Sequence, residues 1–561
     1  MPPAQGQHDA TLCAESPAPP LSFGDLLEKV GSMGPFQLFS VILVSLPVLL
    51  LASHNLVQNF SAATPEHQCR LLPPPSNASQ NGHLLQPLHQ NIQPDSCQRV
   101  VLHWSLDPNR SLDREMETKP CLDGWQYDNS TFISTIVTEW DLVCKLKPLK
   151  TLAQSLYMAG VVVGAFVLGD LSDRFGRRLI LIWSLLLVAV TGTGAACSDS
   201  FATYCALRFL SGVGISGFLM NHVCLGLEWV PTKHRATVVS AQSYCATAGQ
   251  VVLAGLAYGM RSWRWLQLAI SAPFFCFFAY SWCLSESPRW LLVNNKREAA
   301  LRNLKLMARV NGRKAAGEAM ALEMLEIQRG SSSPGAHSCL DLFRTPGLRS
   351  ITVCLMLISF SINMAFFGLS MDLSVFGLNV FLVQLFFGAT DLVAKMGCAL
   401  MLTLLGRRTL QAASLLFAGI LLLVSLPVPS DMLTARLVLV VLGKGGLAAS
   451  SMCLSLYGGE LFPTVIRQTG ISFITMMARL GGLVAPLILM TGDSHPFLPL
   501  VIFGATPIIS GISALFLPET LDTPLPDTVE QVEDRARWKS RAVLGEMPEE
   551  IATHVVQSTH F

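Results

Sequence analysis

The sequence predicts an all-α membrane protein of twelve transmembrane helices, arranged as two six-helix bundles with one large loop on a single face. Three observations predict it. The 561-residue chain is 51% hydrophobic and only 14% charged, which is too little charge to keep a soluble domain's surface in water. Twelve apolar stretches approach or exceed the roughly 20 helical residues that cross a hydrocarbon core. Three loop motifs recur at a nearly constant offset, so the second half repeats the first.

The predicted spans are 36–56, 152–169, 179–196, 204–227, 238–258 and 266–284 in the first half. Those of the second half are 351–369, 380–405, 410–426, 437–456, 471–489 and 500–517, with 410–426 the shortest. The segment before Phe36 is polar and Pro-rich and lacks the order of a cleavable signal, so the first span is expected to stay as an anchor. The net charge of +1 selects no partner. Lys and Arg sit in short runs between spans rather than on one basic face, which excludes a nucleic-acid binder.

The cations give the orientation. Arg174, Arg177 and Arg178 follow the second span, Lys233 and Arg235 the fourth, and Arg289, Lys296, Arg297, Arg302, Lys305 and Arg309 the sixth. Arg407 and Arg408 follow the eighth and Arg467 the tenth. That face is expected in the cytosol, with both termini. The opposite face carries the long polar segment 57–148 with acceptor sequons at Asn59, Asn77, Asn109 and Asn129. Asn59 lies very close to the first span. The same segment holds Cys69, Cys97, Cys121 and Cys144, an even number that implies two disulfides in any of three connectivities. No cysteine pair has zinc-ligand spacing, and no metal or cofactor is expected.

The repeat is read from three loops. Glu228-Trp-Val-Pro231-Thr232-Lys-His-Arg235 matches Glu460-Leu-Phe-Pro463-Thr464-Val-Ile-Arg467; Gly176-Arg177-Arg178 matches Gly406-Arg407-Arg408; Ser285-Glu286-Ser287-Pro288 matches Pro518-Glu519-Thr520. Two parallel repeats place a solute site between them near the midplane, exposed alternately as the halves rock. Asp173, Arg174, Arg177, Arg178, Glu228, Arg235, Glu460 and Arg467 are expected to form a cytosolic latch on one state. The plainer alternative is topological charge alone.

The Asp173-Arg174-x-Gly176-Arg177-Arg178 loop, Arg208 with Gly212, and the duplicated E-x-x-P-T-x-x-R resemble the major facilitator superfamily. The large loop after the first span narrows the resemblance to the organic ion transporter family. Residues 58–63, 134–144 and 460–470 resemble its organic anion transporter branch. The resemblance covers nearly the whole chain beyond about the first twenty residues.

Two mid-span cations stand out, since a charge within a span is costly and marks a pathway or an internal pair. Arg479 has no acid in its own span and small neighbours at Ala478, Gly481 and Gly482. Lys395 has Asp391 one turn away, so a local i,i+4 pair competes with a site role. Both match cationic pocket residues of organic anion transporters. A cavity with uncompensated positive charge attracts anions, and a guanidinium can grip a carboxylate through two hydrogen bonds. Lys444 is a third cation, either a pocket residue or one that snorkels to the interface, with snorkelling the preferred reading. The resemblance also places Tyr244, Phe366, Phe367 and Ser451 on the pocket. Phe366 and Phe367 stand where tyrosines are frequent, Ser451 where phenylalanine is usual, and Ala246 and Ala248 where larger residues are frequent. That pattern implies a roomier pocket. The bland reading of any one aromatic is helix packing.

The domain boundaries read 1–35 cytosolic segment, 36–284 first bundle, 285–350 cytosolic linker, 351–517 second bundle and 518–561 cytosolic tail. The linker carries an amphipathic helix over 297–310, with Leu301, Leu304 and Met307 on one stripe, expected to lie on the membrane face and link the halves. The terminal Ser558-Thr559-His560-Phe561 fits a PDZ-domain ligand. No P-loop, H-E-x-x-H or nucleophile elbow is present, so an enzyme is not expected. The resemblance implies a plasma-membrane secondary transporter of small organic anions. It would exchange them for a counter-transported anion such as a dicarboxylate, with urate, steroid sulfates, prostaglandins and aromatic carboxylates in its range. An organic cation or zwitterion carrier is the first rival, and a non-transporting receptor on the same fold the second.

Overall fold

The computed structural model describes residues 27, 31–70, 97–104, 114–121, 124–315, 341–371, 373, 378–402, 404–463, 466–492, 494–521, 523, 526 and 528–534. Its helices are α1 (Pro35–Leu56), α2 (Lys147–Phe175), α3 (Arg177–Ala196), α4 (Phe201–Glu228), α5 (Thr232–Gly259), α6 (Trp263–Ser271), α7 (Pro273–Ser281) and α8 (Arg297–Val310). The second half holds α9 (Pro346–Met371), α10 (Val380–Met401), α11 (Arg407–Val424), α12 (Leu433–Leu461), α13 (Arg467–Thr491) and α14 (Leu498–Ala514). Among the described residues nine helices are individually long and apolar enough to cross a membrane: α1–α4 and α9–α13. The other three crossings fall at α5, at α6 with α7, and at the 17-residue α14.

Each of these three has a local reason. α5 begins with Lys233, His234 and Arg235 and carries Gln242 and Gln250, both buried, so its polarity is turned inward. The span expected over 266–284 is two helices meeting at Pro273, because proline cannot donate to the ladder and its ring crowds the preceding turn. α14 contains Pro499 and Pro507 and stops at Ala514.

Both halves pack their helices alike. In the first, α4 packs on α2 and α3, α1 on α5, and α3 on α6 and α7. In the second, α12 packs on α10 and α11, α9 on α13, and α11 on α14. The close α2–α4 approach explains the glycine of the Arg208–Gly212 motif. A Cβ at Gly212 would collide with the Tyr157 carbonyl, so only glycine lets the backbones touch. The halves meet along two seams, α2 with α13 and α5 with α10.

The 57–148 segment is not merely a polar loop. It holds β1 (His67–Cys69), β2 (Gln98–Trp104), β3 (Arg114–Pro120) and β4 (Trp125–Tyr127), paired antiparallel as β1–β4 and β2–β3. Disulfides join Cys69 to Cys121 and Cys97 to Cys144, which selects one of the three connectivities. The segment is fastened to the α5–α6 turn: Trp263 N donates to Ser134 O (3.2 Å), Ile133 N to Arg261 O (3.0 Å), and Trp263 Nε1 to Glu139 Oε2 (2.7 Å). Of the sequons, Asn129 is exposed. Asn77 and Asn109 lie outside the described residues, as do Phe561 and the first 26 residues. Asn59 differs from expectation. Its amide points between the halves, donating to Ser370 O and to Gln384 Oε1 (3.4 Å), so a glycan has no room there in this conformation.

The amphipathic helix occurs over the residues expected, as α8, and its apolar stripe is turned into the first half. Leu304, Met307 and Ala308 are buried in the first half's core with Trp229 and Leu284. Asn311 locks it down, accepting from Phe36 N (3.1 Å) and donating to Gln37 Oε1 (2.9 Å). Beyond α14 the chain packs on the second half: Val532 is buried in its core, and Glu533 Oε1 accepts from Leu348 N (2.9 Å) near the start of α9.

Candidate functional site between the two halves

The duplicated loop motifs come together as two copies of one assembly. In the first half Glu286 accepts from the Arg178 backbone N–H (3.1 Å), capping α3, and Arg177 sits 3.9 Å from Glu228. In the second, Glu519 accepts from the N–H groups of Arg407 (2.8 Å) and Arg408 (3.1 Å), capping α11, and Arg407 is 3.1 Å from Glu460. Gly176 and Gly406 turn the chain into these helices at φ +110° and +76°, the region that favours glycine. Arg235 Nε donates to Val230 O (3.3 Å) and Arg467 Nε to Phe462 O (3.1 Å), closing equivalent turns.

The expected latch has a different geometry. Arg174 pairs with Asp170 (2.9 Å) and Arg177 with Asp173. The pairs Arg174–Asp170, Arg177–Asp173, Arg177–Glu228 and Arg407–Glu460 each lie within one half. Burial, then the neighbouring Arg289 guanidinium, lower the pKa of Arg235; Glu228 opposes this, and Arg467 of the second half adds to it. The two caps also differ. Burial pushes the Glu286 carboxyl up, outweighing the N–H groups of Ser287 and Arg178. Burial pushes Glu519 the same way, but the N–H groups of Arg407, Thr520, Leu521 and Arg408 outweigh it and hold its carboxyl low.

The polar belt between the halves runs along the two seams. Lys395 Nζ donates across the α10–α5 seam to Thr247 Oγ1 (2.8 Å) and Ser243 O (3.4 Å). It therefore does not take Asp391 as its close partner. Asp391 Oδ2 instead accepts from Lys444 Nζ (2.6 Å) and from Gln250 Nε2 of α5 (3.3 Å). Lys444 does not snorkel. It is fully buried in mid-helix, over the Phe366 (4.3 Å) and Phe387 (4.7 Å) rings. An ammonium with no path to water needs a counter-ion on a facing helix, and Asp391 supplies it.

Phe366 stands edge-on to Phe367 (5.7 Å), and Phe367 packs against the cores of both halves. Gly482, one turn from Arg479 on α13, backs onto Phe367 and onto Met158 of α2. Arg479 itself has a buried Nε with no hydrogen-bond partner. Tyr157 of the first half is the group that acts on it electrostatically, Arg479 in turn acts on His222 of the same half, and among the described residues it forms no ion pair with a carboxylate. Tyr157 donates to Asn55 Oδ1 (2.6 Å) and lies under Arg208 (4.2 Å). At the other end of the belt Tyr244 packs on Cys398, Leu402, Met452 and Cys453. Half-buried Ser451 stands two turns beyond Lys444.

The belt thus links Tyr244, Lys395, Phe366, Phe367 and Arg479 in one band, in which, among the described residues, Lys395, Lys444 and Arg479 outnumber the carboxylate Asp391. Sequence reasoning missed Gln250, Thr247, Tyr157 and the burial of Lys444. The legible signals were glutamine and lysine in mid-span, the lysine flanked by Gly443, Gly445 and Gly446.

Comparison with known proteins agrees with this architecture. Residues 112–530 match the family model described as sugar (and other) transporter. The xylose transporter XylE from E. coli, in a partially occluded inward open conformation, superposes with a TM-score of 0.58 at 17% identity, covering 86% of this chain and 98% of that one. The proton:xylose symporter XylE bound to 6-bromo-6-deoxy-D-glucose gives 0.57 at 16%, covering 89% and 99%. Fold and duplicated motifs together define a membrane transporter of the major facilitator class, and not an enzyme. Among curated proteins, solute carrier family 22 member 6-B of Xenopus laevis is 49% identical over 524 residues, 91% of this chain and 95% of that one. Organic anion transporter 3 of Homo sapiens is 47% identical over 527 residues, 93% and 95%. The chain belongs to the organic anion transporter branch of the organic ion transporter family.

Proposed function

We propose that the chain carries small organic anions across the plasma membrane by alternating access, exchanging them for a counter-transported anion such as a dicarboxylate. The observation that supports this most is Arg479. A guanidinium in the inter-half belt with an unpartnered Nε and, among the described residues, no ion-paired carboxylate is a site awaiting an anionic group. Lys395, held by neutral oxygens rather than an acid, adds a second attraction. Phe366, Phe367 and Tyr244 offer aromatic faces for a planar apolar body. An organic cation would meet net positive charge, since Asp391 is already neutralised by Lys444. The exposed Asn129 and the two disulfides support an extracellular 57–148 segment and cytosolic termini.

The test is uptake of a labelled aromatic carboxylate and a labelled organic cation by cells bearing the wild type or Arg479→Ala at matched surface levels. Saturable anion uptake is expected, lowered at least about tenfold in the variant, the scale of one lost charge-assisted hydrogen bond. Preloading cells with a dicarboxylate should accelerate it. Cation uptake that survives the substitution, without anion uptake, would overturn the substrate class. Absence of any flux would favour a receptor.

A further inference from the structure

One side chain crosses between the halves at the face that carries the 57–148 segment. Phe381 stands in the first turn of α10, whose N–H is accepted by Asn379 Oδ1 (3.0 Å). Its ring is almost wholly buried, yet the rings that bury it come from the first half. Phe60, in the short helix after α1, stacks on it at 5.5 Å and 8°. Phe132 of the 57–148 segment lies at 5.6 Å and Tyr258, at the end of α5, stands edge-on at 5.8 Å. Below this socket Asn59 bridges to Ser370 and Gln384. Ser370 Oγ in turn donates to the Phe366 carbonyl (2.6 Å) at the belt.

We propose that Phe381 in its Phe60–Phe132–Tyr258 socket is the outer gate of the carrier, and that the disulfide-stapled segment is a working part of that gate rather than a cover. The argument is mechanical. Phe132 cannot move independently of the first half, because Ile133 and Ser134 are hydrogen-bonded to Arg261 and Trp263. Phe381 cannot move independently of α10. Rocking the halves apart at this face must therefore withdraw one ring from three others, and each aromatic contact biases the equilibrium toward the sealed state. Solute reaching the belt from this side passes the socket first, then the Asn59 bridge.

The inference rests on the alternating-access reading, so its test needs no flux. Ser370→Cys is introduced as a reporter in a Cys197→Ser background, which removes an exposed thiol in the α3–α4 turn. Intact cells are treated with a membrane-impermeant maleimide. With Phe381 present the reporter should label slowly. Phe381→Ala should raise the labelling rate about tenfold or more, Phe381→Tyr much less. Phe132→Ala, which leaves every membrane helix untouched, should raise it in the same direction. Unchanged labelling in both alanine variants at normal surface levels overturns the gate. A response to Phe381→Ala alone overturns the part given to the disulfide-stapled segment. A carrier that labels as expected but moves no anion keeps the gate and loses the anion reading.

Discussion

Arg479 and Lys444 are both cations in mid-helix, and their surroundings give them opposite work. Lys444 is saturated by Asp391 and two rings, so it supports the belt. Arg479 keeps its Nε donor unspent, which is the ground for proposing that it takes the solute. The difference predicts different phenotypes. Asp391→Asn leaves a buried ammonium without its counter-charge, a loss of about 3–5 kcal/mol, and should lower the thermal midpoint and yield of the purified carrier. Pairing it with Lys444→Gln should recover most of that stability, because the stranded charge goes too. Arg479→Ala should leave the thermal midpoint near wild type and lower anion uptake. A large fall in midpoint for Arg479→Ala would make it a structural residue instead.

At the scale of elements, the repeated motifs act chiefly inside each half. Glutamates from the ends of the sixth and twelfth crossings cap α3 and α11 over glycine turns, where backbone N–H groups need acceptors. The caps respond to pH with opposite sign. Glu519 is held low in the folded state, so its contribution is present above the unfolded pKa and lost as pH falls through the folded value. Glu286 is raised, so its contribution is present below the unfolded pKa and lost as pH rises through the folded one. Thermal midpoints measured against pH should show it. Glu519→Gln flattens the acid limb below the ordinary carboxylate range, and Glu286→Gln flattens the limb just above that range. Gly406→Ala should destabilise more than an ordinary loop glycine, because its Cβ would lie 2.7 Å from Glu519 Oε2 at a positive φ.

For the whole molecule, sidedness and glycosylation make one prediction. Asn129→Gln should remove one glycan's worth of mass on electrophoresis, and Asn59→Gln none, with glycosidase treatment as the reference. A mass shift on Asn59→Gln would mean that its amide leaves the inter-half contact before folding is complete. Under the proposed alternating access, the two seams, the belt and the loop-face socket would line one path whose walls belong to different halves.

Composition, span length and the duplicated loops were enough to read an all-α membrane protein of two repeated halves, and mid-span charge was enough to single out Arg479 and Lys395 as candidates. These features depend on local hydropathy and on motifs a few residues long, which the linear chain displays directly. The α6–α7 break was also written locally, at Pro273. The partner of Asp391 was not: proximity along the helix favoured Lys395, whereas packing brought Lys444 within 2.6 Å. Nor were the strands in 57–148, the pairing of four cysteines, the burial of α8 or the inward turn of Asn59. Each depends on which surfaces come together from distant parts of the chain. A side chain's periodicity states that it has a face, and only the tertiary structure decides what that face meets.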